Sequence, residues 1–184
     1  MNLSSKDKAM RPLTKLPTRM HHHAHTTDNH QRTRHFYENV LGLPLVACDV
    51  ERERIGDGWL DVGHAFYALG DGSTLAFFTF DDPARQAAWK EKEQSQFVHI
   101  SLLVEGAVLR EIEQRLTRAG LEPMMLEHGF CTSLYVKDPN GLTLEFSVDH
   151  EDTFGAVEEM TASVRDWMQG GRQMPRLPQV NMVA

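Results

Sequence analysis

The chain has 184 residues, 41% of them apolar and 24% charged, with a formal net charge of −7. That balance belongs to one globular domain, or two small modules sharing a core, and no basic block marks a nucleic-acid surface. No apolar run approaches the roughly 20 residues that cross a bilayer, and two cysteines, Cys48 and Cys131, without a Cys-x-x-Cys pair suit a reducing, cytoplasmic setting.

Residues 1–19 read as a flexible extension. Lys6, Lys8, Arg11, Lys15 and Arg19 are basic, while Pro12 and Pro17 interrupt any helix. A first strand is expected over His21 to Thr27. Asp28 and Asn29 are good N-caps, and a helix then runs to about Leu41, with Phe36, Tyr37, Val40 and Leu41 on one side and Gly42 at its end. Leu43 to Val50 is a second strand, and the charged segment from Arg52 to Gly58 is expected as a loop. Trp59 to Leu69 is a third strand, Gly70-Asp-Gly-Ser a hairpin turn, and Thr74 to Phe80 a fourth strand. A polar linker covers 81–96, where Pro83 suits a first helical turn and Ala84 to Glu93 are helix formers.

The pattern then restarts. Val98 to Val104 is a strand, and Glu105 to Ala119 is a helix with Val108, Ile112 and Leu116 at helical spacing and Gly120 as its stop. Cys131 to Lys137 is a strand, Asp138-Pro-Asn-Gly a turn, and Leu142 to Val148 the closing strand. A last helix is expected over about Val157 to Met168, ahead of a loose tail rich in glycine and proline. The fold class is therefore α+β: two paired β-α-β-β-β modules in a domain spanning 20–150, with module one at 20–80, module two at 97–150 and a helix and tail at 151–184.

The duplication is visible in the residues. Gly72-Ser-Thr-Leu-Ala-Phe-Phe and Gly141-Leu-Thr-Leu-Glu-Phe-Ser are near copies, and each follows a histidine-bearing apolar strand, with His22 in the first and His99 in the second. The first copy is longer, and the surplus belongs in the charged segment around Arg52 to Gly58. Four equivalent slots result: His22, Ala76, His99 and Glu145. Polar residues in otherwise apolar strands are costly without a partner. Two imidazoles and a carboxylate form the facial triad of divalent-metal enzymes, with open positions for substrate. Strand alternation separates His22 from His21 and His23. His25, His30, His35, His64 and His150 read as surface or supporting residues. Tyr135 lies across a hairpin turn from Glu145, and His128 sits just before the same strand, which makes both candidate catalytic residues.

These motifs resemble the vicinal oxygen chelate superfamily of glyoxalases, bleomycin-resistance proteins and extradiol dioxygenases. The resemblance rests on His21-His-His-Ala, Arg32-Thr-Arg-His-Phe-Tyr-Glu-Asn-Val-Leu-Gly-Leu-Pro-Leu, His99-Ile-Ser-Leu-Leu-Val and Leu134-Tyr-Val-Lys-Asp-Pro-Asn-Gly-Leu-Thr-Leu-Glu-Phe. It implies a sheet curling around a central metal held by His22, His99 and Glu145. Ala76 in the second slot departs from the four-ligand glyoxalases, and Ala24 departs from the fosfomycin-modifying enzymes. The three-ligand set and Tyr135 are similar to type I extradiol dioxygenases, which implies Fe(II), O₂ and a catechol-like, aromatic substrate. The upstream catalytic histidine of that class is missing near Ala84, so either another histidine such as His128 substitutes or the ring-cleaving role does not apply. Two alternatives remain: a Mn-, Ni- or Zn-dependent isomerase, lyase or thiol transferase, and a non-catalytic protein that sequesters a small ligand. The resemblance also implies a homodimer.

Overall fold

A computed structural model describes residues 15, 17–90, 95 and 97–150 of the chain. The expected C-terminal helix and most of the N-terminal extension lie outside these residues. No helix among the described residues is long and apolar enough to cross a membrane.

Module one runs β1 (His22–Thr26), α1 (His30–Arg34), a π-helical continuation (His35–Leu41), β2 (Leu45–Ile55), β3 (Gly58–Ala68) and β4 (Thr74–Phe80). A short α2 (Pro83–Trp89) follows. Module two runs β5 (His99–Leu103), α3 (Gly106–Arg118), β6 (Met124–Glu127), β7 (Cys131–Lys137) and β8 (Thr143–Asp149). Each module is a four-stranded mixed sheet, in the orders β1-β4-β3-β2 and β5-β8-β7-β6, with the outer β1–β4 and β5–β8 pairs parallel. This is the duplicated β-α-β-β-β architecture that the sequence indicates.

Local chemistry explains the ends of the first helix. The Asn29 side chain accepts a hydrogen bond from the Arg32 backbone N–H at 2.9 Å, satisfying a donor at the helix start. Gly42, at φ 82°, turns the chain out of the π-helical segment and returns its N–H to the Tyr37 carbonyl.

Two expectations need correction. The segment from Arg52 is not a loop up to Gly58: β2 continues to Ile55 and pairs with β3 as far as Gly58, leaving only Gly56 and Asp57 as the turn. A strand exposed at nearly every position, as β2 is, needs no apolar alternation, so its charges read as a loop. Arg52 sits opposite Asp61, with Nε 3.9 Å from Oδ1, and Gly56 supplies the left-handed turn residue at φ 64°. The second concerns His25, expected as a surface or supporting residue: it is buried, which leaves the supporting reading. It lies on the helix side of β1, its ring 6.0 Å from that of Phe77 and stacked on His23 at 4.4 Å. The second strand of module two, β6, has only four residues and carried no distinct sequence signal.

One apolar core joins the modules. Phe36 and Tyr37 pack on Tyr67, Leu75 and Phe77 beneath the first helix, and Leu109, Ile112 and Leu116 of α3 cover Leu134, Leu144 and Phe146. The Asp138-Pro-Asn-Gly turn of module two docks onto module one. The buried Tyr37 hydroxyl donates to Asp138 Oδ2 at 2.9 Å, and the Asn140 amide donates to Thr33 Oγ1 at 3.1 Å. The helices thus occupy one face of each sheet, and the candidate site residues lie on the other.

Candidate metal centre

Strand register makes the four slots structurally equivalent. Ala24, Ala76 and Phe66 align across β1, β4 and β3, just as Ser101, Glu145 and Tyr135 align across β5, β8 and β7. His22 pairs with Thr74 and His99 with Thr143, each two positions before the slot. The residues of both rows stand on the sheet face turned away from the helices.

In module two these residues meet. His99 Nε2 lies 2.8 Å from Glu145 Oε2. The other carboxylate oxygen, Oε1, accepts the Tyr135 hydroxyl at 2.6 Å. That hydroxyl oxygen lies 3.0 Å from His128 Nε2. Because the phenolic proton goes to Glu145, the His128 nitrogen is the donor in this chain, which assigns its proton to Nε2. His99, Glu145, Tyr135 and His128 therefore form one continuous network.

Glu145 is only 6% exposed. Burial alone would raise its pKa, but the surrounding Ser133, Tyr135 and Ser147 hydroxyls and the nearby His99 imidazole outweigh burial and hold it below the usual carboxylate range. Tyr135 moves the other way: burial first, then the bond and charge of Glu145, push its phenol well above its ordinary value. The site therefore presents an ionised carboxylate and a phenol that keeps its proton. A cavity of about 360 Å³ opens beside Glu145, Ser147 and Asp149, and one of about 470 Å³ lies toward Phe97, Met124 and Leu126; His99, His128 and Tyr135 line both. An imidazole nitrogen and a buried carboxylate oxygen converging beside open space suit a divalent cation.

His22 does not join this pair. It is exposed on β1, with its ring 6.2 Å from that of Phe66 and its Nδ1 2.8 Å from that of His21. Among the described residues, the one cluster of three metal-capable side chains with ligand atoms all within 4.8 Å is Asp49, Glu51 and His64. His64 stands opposite Asp49 in the β2–β3 register, its Nδ1 3.7 Å from Asp49 Oδ1, and is far more enclosed than the sequence suggests. The Asp49-x-Glu51 alternation was the available signal for that cluster. The hydroxyls of Ser133 and Ser147 beside Glu145 gave none, since isolated serines in strands are ordinary.

The family model for the glyoxalase/bleomycin resistance protein/dioxygenase superfamily matches residues 19–146. No curated protein matches the chain. Among solved structures, a glyoxylase/bleomycin resistance protein/dioxygenase domain from Frankia sp. shares 21% identity with a TM-score of 0.56, covering 73% of this chain and 100% of that one. A glyoxalase/dioxygenase from Nostoc punctiforme shares 19% identity with a TM-score of 0.50, covering 77% of this chain and 100% of that one. A lactoylglutathione lyase from Agrobacterium tumefaciens shares 17% identity with a TM-score of 0.50, covering 72% of this chain and 95% of that one. These likenesses extend to the fold, and with the family match over most of the sequence they place this chain in the glyoxalase/bleomycin resistance protein/dioxygenase superfamily.

Proposed function

We propose that the protein is a mononuclear divalent-metal enzyme, an Fe(II)-dependent dioxygenase acting on a catechol-like substrate with two adjacent oxygens. Members of its superfamily are mostly metal-dependent enzymes. The observation that carries the reading is the convergence of His99 Nε2 and Glu145 Oε2 at 2.8 Å, beside a cavity that Tyr135 and His128 also line. Bound by His22, His99 and Glu145, the metal would supply Lewis acidity and, as iron, the capacity to use O₂.

The chain's own residues have distinct tasks. Glu145 remains ionised and accepts a hydrogen bond from the Tyr135 hydroxyl, which fixes the carboxylate. Tyr135 and His128 line the substrate space, and His128, with its proton on Nε2, takes a hydroxyl proton at Nδ1. Ala76 is fully buried at the slot equivalent to Glu145, so no fourth protein ligand is available there, which favours the three-ligand reading over a glyoxalase lyase. His22 comes from a second copy of the chain. Within one copy the modules are joined through their helix-side core, leaving His22 and His99 exposed on the opposite faces. A homodimer that sets module one of one copy against module two of the other assembles the triad.

The test is metal content of anaerobically purified protein together with oxygen uptake on catechols. About one iron per chain is expected, and Glu145→Ala should lose both metal and turnover. Full activity in that variant would sink the reading. Mn, Ni or Zn without oxygen uptake would redirect it to an isomerase, lyase or thiol transferase, and ligand binding indifferent to chelators would leave a sequestering protein.

A further inference from the structure

The sheet face around Glu145 carries a row of hydroxyls that none of the roles above uses. Ser101 Oγ lies 2.9 Å from Ser147 Oγ, and Ser147 Oγ lies 3.1 Å from Ser133 Oγ, so the row crosses β5, β8 and β7. Ser133 is fully buried and Ser147 nearly so. Buried hydroxyls in a sheet of Leu, Val and Phe cost stability unless they are hydrogen-bonded, and these bond to one another.

The duplication supplies an internal comparison. Register places Ser147 opposite Ser133 next to the Glu145–Tyr135 pair, and Phe78 opposite His64 next to the Ala76–Phe66 pair. Ser101 faces Glu145 as Ala24 faces Ala76. The module that keeps the carboxylate has hydroxyls at all three flanking positions, and the module that lacks it has none. The hydroxyls accompany the carboxylate, not the fold.

We propose that Ser133 and Ser147, with Ser101 anchoring the row, are positioning residues that hold the Glu145 carboxylate in the orientation that aims Oε2 at His99 while Tyr135 holds Oε1. This rests on the reading of Glu145 as a metal ligand. Hydrogen-bonded supports of this kind commonly govern affinity about 10- to 100-fold.

The experiment measures Mn(II) and Fe(II) affinity of the full chain by competition with a chelator, alongside thermal melting of the metal-free protein. Ser147→Ala and Ser133→Ala should each weaken affinity at least tenfold with a near-unchanged metal-free melting temperature. Ser147→Thr, which keeps the hydroxyl, should restore it. Affinity equal to the parent in both alanine variants overturns the proposal, as does a loss that Ser147→Thr does not recover. Glu145→Ala separates the two readings: if it abolishes binding while the serine variants do not, only the positioning role falls, and if it binds metal normally, the metal-ligand reading falls and this proposal with it.

Discussion

At the residue scale, the chemistry concentrates on one carboxylate and its partners. Tyr135 donates to Glu145 and receives from His128, so the two changes should separate cleanly. His128→Ala is expected to lower kcat by about 100-fold, the usual worth of a positioned base, with metal retained. Tyr135→Phe is expected to weaken metal affinity about tenfold through loss of the carboxylate's support. Parallel steady-state kinetics and metal titration check both, and equal metal affinity in Tyr135→Phe would contradict the support role. His99 and Glu145 were legible in the sequence because the repeat marks polar residues in apolar strands, Tyr135 because it lies across a hairpin turn from Glu145, and the structure brings these three together. His22 was marked by the same logic, but in one copy it lies apart from His99 and Glu145, beside His21 and Phe66, since equivalence within a repeat says nothing about which faces meet. The serines escaped notice because their meaning lies in cross-strand register, which no single stretch of sequence displays.

At the element scale, helix ends and paired strands followed their local signals, and the misreadings have local causes. Gly42 ends the first helical segment at φ 82°, and an added Cβ would approach Arg115 Nη1 to 2.9 Å. Gly42→Ala should therefore destabilise the fold by about 1 kcal/mol or more, measured by urea unfolding. His30 opens α1 right after its cap, with both ring nitrogens buried near Gly63. Burial lowers its pKa most, the Gly63 backbone opposes that in part, and the nearby His64 adds a smaller lowering. Its folded value lies below its unfolded value, so its contribution to stability is complete above about pH 6.5 and is lost as pH falls through the folded value. The urea midpoint should drop between pH 7 and pH 5, and His30→Gln should flatten that drop. The extended β2–β3 arm and the four-residue β6 show the opposite weakness of sequence reading. A strand with no buried face, or one too short to alternate, leaves too faint a periodic signal.

At the scale of the whole molecule, the duplication sets what one copy can do alone. The Tyr37–Asp138 bond and the common core lock the modules through their helices, and this internal packing was foreshadowed only as a shared surface. If sites are shared between copies, His22→Ala and Glu145→Ala homodimers should each be inactive. Mixed and re-associated, they should regain about a quarter of the parental sites, because half the dimers are then hybrids with one intact site each. No recovery on mixing, with subunit exchange verified, would place all three ligands in one copy.

The β2–β3 arm has a further consequence, for solubility. β2 is the outer strand of its sheet, eleven residues long and exposed almost throughout, with Val46 and Val50 open to solvent on it and Trp59 on its neighbour. A long free strand edge with apolar residues is a template for pairing with other chains. Asp49, Glu51, Arg52, Glu53 and Arg54 interrupt that edge with charge at nearly every step, so the same segment that looked like a loop acts as a guard against fibrous self-association. Replacing Glu51 and Glu53 with threonine should leave the fold intact yet make concentrated solutions turbid within hours at neutral pH, as followed by light scattering.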